Sequence, residues 1–235
     1  EFSGELSARA ALAWRIREDL ILRASASDGF RAPTLSQLDP FFGDPTFQPE
    51  TSVSYDLGLE KRFDGDDFIR VTLFSTEIDN QIFFDGASTR CGSGFGCFET
   101  ADFEGEGVEL SGRVTINQFL TLNAAYTFTD AKQNGVDAAR VPRHDAALGL
   151  EAQITPRLDG QVTIQRLSGI TPSTFAPANN LVGAHTLVHV NGTYQVTENV
   201  DAFLRVENLF DEDYETAGGF NTSGRAAYVG LRASF

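Results

Sequence analysis

Methionine is absent from this chain of 235 residues, tryptophan occurs once, and cysteine only twice. Basic residues are also in short supply: 18 Lys and Arg against 33 Asp and Glu leave a formal net charge of -15. Without a basic stripe to neutralise phosphates, no nucleic acid is expected as a partner. Long apolar runs are missing as well. The only long stretch free of Asp, Glu, Lys and Arg, Leu167 to Thr197, is broken by Pro172, Pro177, Asn179 and Asn180, which excludes a spanning helix. That exclusion does not reach membrane barrels, where half of every strand faces water and average hydropathy stays near zero. The chain opens without Met, signal peptide or basic leader, so it is expected to begin inside a longer protein.

The two cysteines stand in Arg90-Cys91-Gly92-Ser93-Gly94-Phe95-Gly96-Cys97-Phe98. A short glycine-rich stretch between them suits a local disulfide at a loop tip, and hence an oxidising compartment. The rival is a metal pair, but no neighbouring His or third Cys completes a site.

What is present is alternation. Leu20, Leu22, Ala24 and Ala26 oppose Ile21, Arg23, Ser25 and Ser27; Leu120, Leu122, Ala124, Tyr126 and Phe128 oppose Thr121, Asn123 and Thr127. Val188, Val190, Gly192, Tyr194 and Val196 alternate with His189, Asn191, Thr193 and Gln195. The ending repeats the pattern, with Val229, Leu231, Ala233 and Phe235 on one face and Tyr228, Gly230, Arg232 and Ser234 on the other. Period-2 patterning marks β-strands with one apolar face. It predicts about eleven strands, near 2-15, 18-30, 51-62, 67-84, 98-115, 118-130, 143-154, 157-167, 184-197, 199-208 and 224-235.

Connections alternate between short ones (Ile16-Arg17, Asp64-Gly65-Asp66, Asn117, Thr155-Pro156, Thr197-Glu198) and long ones at 31-50, 85-97, 131-142, 168-183 and 209-223. Short turns at one rim and long loops at the other are the pattern of an antiparallel transmembrane β-barrel, with the short turns periplasmic. The strands are long for a soluble β-sandwich or solenoid, the competing all-β reading. Tyr126, Phe128 and Tyr194 near strand ends suit aromatic girdles. An odd strand count starting at the outside cannot close a bacterial barrel, so further strands are expected before Glu1.

Three segments carry a family resemblance. Phe30-Arg31-Ala32-Pro33-Thr34-Leu35 comes first, then Phe47-Gln48-Pro49-Glu50-Thr51 with Tyr55-Asp56-Leu57-Gly58-Leu59-Glu60. The third is Asn208-Leu209-Phe210-Asp211-Glu212-Asp213-Tyr214-Glu215, followed by Gly224-Arg225 and the terminal strand. Together with Gly107-Val108-Glu109 and Val141-Pro142-Arg143-His144, they resemble, in order and over nearly the whole chain, the TonB-dependent outer-membrane receptors. Within that family, Asn208 to Thr216, Phe220 to Arg225 and Phe41-Phe42-Gly43-Asp44-Pro45 are similar to cobalamin-transporting (vitamin B12) members. The Cys91/Cys97 loop and the uncharged 168-183 loop depart from them.

The resemblance implies that 1-235 is the carboxyl-terminal part of a 22-stranded barrel in the outer membrane of a Gram-negative bacterium. It implies a plug and a first barrel half on another segment or chain, with TonB acting through the plug. Outer-membrane lipid and lipopolysaccharide, and the barrel assembly machinery that reads the terminal strand, are the other expected partners. The implied function is TonB-energised import of a large scarce nutrient, most simply cobalamin; the alternatives are a ferric siderophore receptor, a passive porin or a surface-interaction barrel. No cofactor is expected in this chain, and calcium would belong to the missing half.

No nucleophile with a matching base stands out, so no enzyme and no catalytic residue is expected. His185 and His189, four residues apart on one strand face and so about 13 Å from each other, cannot chelate one ion unaided; no metal site is expected. The acidic run Asp211 to Glu215 reads as a solvated loop carrying the family motif, with calcium coordination as the rival. A bulky nutrient with apolar and amide faces needs aromatic area and a few donors near the lumen mouth. The residues offering these are Phe41, Phe42, Phe95, Phe175 and Phe220 in the loops and Arg140 and Arg143 where a long loop re-enters a strand. Arg23, Arg205 and Glu207 are expected to face the plug.

Overall fold

The computed structural model describes residues 6–92, 94–173 and 180–234. They form one antiparallel sheet of twelve strands: β1 (Arg9–Arg17), β2 (Leu20–Arg31), β3 (Glu50–Arg62), β4 (Phe68–Asp85), β5 (Cys97–Asn117), β6 (Leu120–Gln133), β7 (Val136–Asp137), β8 (Pro142–Thr155), β9 (Leu158–Ile170), β10 (His185–Thr197), β11 (Val200–Glu207) and β12 (Ala226–Ala233). Each strand pairs with its chain neighbours, except that β7 pairs only with β6 and β8 continues the sheet beside β6. Phe235 lies outside the described residues.

Eleven of these match the strands expected from alternation. The twelfth, β7, corrects that count. The 131-142 segment, expected as an open loop, folds back as a hairpin through Asn134 and Gly135, both at positive φ (49° and 76°). That Asn-Gly pair is the signature of a type I′ turn, whose twist matches the strands it joins.

Cross-strand register turns the one-dimensional alternation into two surfaces. One row runs Leu12, Ala24, Leu57, Leu73, Val108; another runs Ala124, Leu148, Ile164, Val188. Leu12 and Leu73 are exposed by more than half and Ile164 and Leu148 by more than a third, while Val188 at the end of its row is buried. The opposite face carries rows such as Arg113, Asn123, Gly149, Thr163, His189.

Burial is therefore inside out. Among the described residues, the largest fully buried side chains are Glu60 and Cys97. Glu60 takes Arg62 Nε at 2.6 Å, Arg70 Nη2 at 2.6 Å and Arg23 Nη2 at 3.3 Å. Among the described residues no buried polar side-chain atom lacks a partner. A further polar ladder links Arg113 to Asn123 (3.2 Å) and Asn123 to Glu151 (2.9 Å). An apolar sheet face toward lipid and a hydrogen-bonded polar face toward the lumen are what a spanning β-structure requires. The sheet is all-β and antiparallel, and it is an open wall of a barrel.

Candidate functional site

Short turns such as Glu18-Asp19 and Glu198-Asn199 collect at one rim, and the 32–49, 86–96 and 208–225 connections at the other. At the long-loop rim the sheet holds a cavity of about 1270 Å³. Strand ends supply Arg31, Glu50, Gln81, Phe83, Phe84, Asp85 and Phe103; the β6–β7 hairpin and following loop supply Gln133, Val136, Asp137 and Arg140; Thr171, Pro172 and Phe220 close it. A second groove of about 500 Å³, lined by Leu158, Tyr194, Leu204, Val229 and Leu231, lies on the outward apolar face. Apart from Tyr194 its named lining is aliphatic, which suits hydrocarbon.

The main cavity combines aromatic area with polar groups whose charges are largely settled. Arg31 Nε donates to Glu50 Oε2 at 2.7 Å, its Nη2 also bonds Glu50, and Glu50 accepts the Ile82 amide at 2.6 Å. Gln133 donates to Gln81 at 2.9 Å. Asp137 pairs with Arg143 at 3.2 Å. Arg140 stands apart: its backbone is left-handed (φ 63°), its amide donates to Thr171 O at 2.8 Å, and no carboxylate among the described residues pairs with its guanidinium. Two lining arginines oppose three lining carboxylates, and Arg143 from outside offsets one of the latter.

The expected site residues are thus divided. Arg140 and Phe220 line the cavity. Arg143 is held by Asp130 and Asp137 at 3.2 Å each and is outside the lining. Phe41 and Phe42 pack edge to face at 4.7 Å on the 32–49 loop, and Phe95 sits exposed in the cysteine loop; none reaches the cavity lining. Phe175 lies outside the described residues. Cys91 and Cys97 are joined in a disulfide, Cα–Cα 5.8 Å. Sequence reasoning missed Arg31, Glu50, Gln81 and Phe83, whose signal was their position at strand ends bordering long loops.

The Asn208-Leu209-Phe210-Asp211 segment performs loop closure. Asn208, at φ 47°, donates to Glu212 O and accepts from Glu212 N, both at 2.9 Å, while its own amide donates to His189 Nδ1 at 3.3 Å. Asp211 accepts the Arg225 amide at 2.6 Å, and Tyr214 packs on His185 with ring centroids 4.6 Å apart. Among the described residues no group of three or more His, Cys, Asp or Glu could hold a metal.

Comparison with known proteins places this geometry. A family model described as "TonB dependent receptor-like, beta-barrel" matches residues 2–209. The vitamin B12 transporter BtuB of Photobacterium profundum is 29% identical over 222 residues, 93% of this chain and 36% of that protein. The iron-regulated outer membrane virulence protein of Vibrio cholerae is 24% identical over 100% of this chain and 40% of its own length. Among solved structures, the siderophore receptor PirA from Pseudomonas aeruginosa superposes with a TM-score of 0.71 at 23% identity, over 97% of this chain and 40% of that one. The chain spans under half the length of the proteins it matches.

Proposed function

Since the chain belongs to the TonB-dependent receptor β-barrel family of the Gram-negative outer membrane, we propose that it forms the ligand-gathering wall of an active importer, with cobalamin as the nutrient. In this reading the long-loop rim faces outward, the cavity receives the nutrient, and a plug and the remaining strands complete the lumen. TonB supplies energy through the plug, and this segment performs no covalent chemistry.

The observation carrying the choice of nutrient is the charge balance of the cavity. Ferric siderophores of the catecholate type are multiply anionic and need an excess of cations. Here Arg31 is consumed by Glu50, and Arg140 is the one lining cation free of a carboxylate among the described residues. The uncharged stretch from Leu167 to Thr197 adds no cation from that side. Phe83, Phe84, Phe103 and Phe220 with two glutamines instead match a large, nearly neutral solute edged with amides. The likeness to a vitamin B12 transporter points the same way.

Calorimetric titration of the complete detergent-solubilised receptor with cyanocobalamin, with and without calcium, tests this. Tight saturable binding is expected, with any calcium dependence arising from segments beyond this chain. Absence of binding heat, together with binding of a ferric chelate, would transfer the receptor to the siderophore class, the second reading.

A further inference from the structure

We propose that Arg90 is a positioning residue: it latches the 32–49 loop onto the crest of the β4–β5 hairpin and so fixes the aromatic wall of the cavity mouth. Its guanidinium serves three acceptors at once. Nη1 donates to Asp44 Oδ2 at 2.8 Å, Nε to both Glu99 oxygens at 2.9 and 3.0 Å, and Nη2 to Phe98 O at 2.6 Å. Its flat face lies 5.3 Å from the centroid of the buried Phe47 ring. Asp44 and Phe47 belong to the 32–49 loop; Glu99 and Phe98 belong to β5. A planar fork satisfies such a divergent set, which the point charge of a lysine does not.

The latch continues to the cavity. The Phe98 amide donates to Phe42 O at 2.6 Å, a second bond between the same two segments. The Phe98 ring meets Phe84 edge-on at 5.4 Å, and Phe84 lines the cavity. The disulfide prepares this arrangement, because Arg90 and Phe98 are the residues immediately outside the bridged Cys91 and Cys97. Gly96 lets the bridged loop close: at φ 94°, a Cβ there would stand 2.2 Å from Gly86 Cα. Without the guanidinium, Asp44 and Glu99 would lose the cation they share.

The ligand part of this proposal rests on the cavity being the nutrient site; the loop geometry does not. In the complete receptor, nitroxides at exposed positions Leu35 and Thr89 report the loop-to-crest distance by pulsed electron resonance, with the native disulfide kept oxidised. Arg90→Ala and Arg90→Gln should broaden the distribution, while heat-modifiable gel mobility verifies that the barrel is folded. Both should raise the dissociation constant for cyanocobalamin about tenfold, the scale of one or two lost charge-assisted hydrogen bonds. Arg90→Lys should recover only part of either effect. An unchanged distribution in both variants overturns the latch, and a broadened distribution at wild-type affinity overturns the positioning role. If the wild-type receptor itself ignores cyanocobalamin, the ferric chelate that binds in its place becomes the probe, and the same two comparisons decide.

Discussion

Arg140 and Arg143 show how three residues of separation can divide two roles. Arg143 is bound to Asp130 and Asp137, whereas Arg140, held by a left-handed backbone and the Thr171 carbonyl, lines the cavity. If the cavity receives the proposed nutrient, Arg140→Ala should weaken cyanocobalamin binding by about 1.5–3 kcal/mol, the range for hydrogen bonds to charged groups. Arg143→Ala should chiefly loosen the β6–β7 hairpin; titration of both variants distinguishes the two effects. Asp44 provides the pH dependence. The Thr46 hydroxyl at 2.5 Å, the Thr46 amide at 2.8 Å and Arg90 hold its carboxyl below the usual carboxylate range. A carboxyl depressed by folding contributes order above its free value, near 3.9, and loses it as pH falls through the lowered one. The Leu35–Thr89 distance distribution should accordingly stay narrow from about pH 5 to 7 and broaden below about pH 4.

At the scale of elements, strand parity carries most of the information. Leu73 and Thr72 are neighbours in β4, but Leu73 is aligned with Leu57 and Val108 in the outward apolar row, and Thr72 with Gly58 and Glu109 on the polar face. Leu73→Arg should cost about 2–4 kcal/mol in a bilayer, whereas Thr72→Arg should cost far less. Folding yield in liposomes and denaturant midpoints would measure the difference, and equal costs would refute the assignment of faces. The β4–β5 hairpin, with strands of 18 and 21 residues, is far longer than the roughly 9–11 residues a tilted strand needs to cross a bilayer. Its surplus forms the crest that carries the disulfide, Arg90 and one wall of the cavity.

For the molecule as a whole, the decisive feature is that the sheet is open. Among the described residues β1 pairs only with β2, and β12 only with β11. Each unpaired backbone group in hydrocarbon costs several kcal/mol, so such an edge cannot stay in a bilayer unpartnered. These 235 residues refolded alone should give no heat-modifiable barrel band, whereas co-refolding with the remaining strands should produce one. A stable monomeric barrel from this chain alone would contradict the open-wall reading.

The sequence by itself determined the strands, their faces and the family, because a period of two and a terminal signature are local properties read one residue at a time. Even the missed hairpin was written locally, in Asn134-Gly135. The grouping of side chains was not. Glu60 gathers arginines from three strands, Arg90 reaches Asp44 across 46 residues, and the cavity draws on segments from Arg31 to Phe220. Phe41, Phe42 and Phe95 read as equal to Phe220 in sequence, yet only Phe220 reaches the lining. Loop closure and cross-strand register decide such proximities, and both depend on where distant strands align.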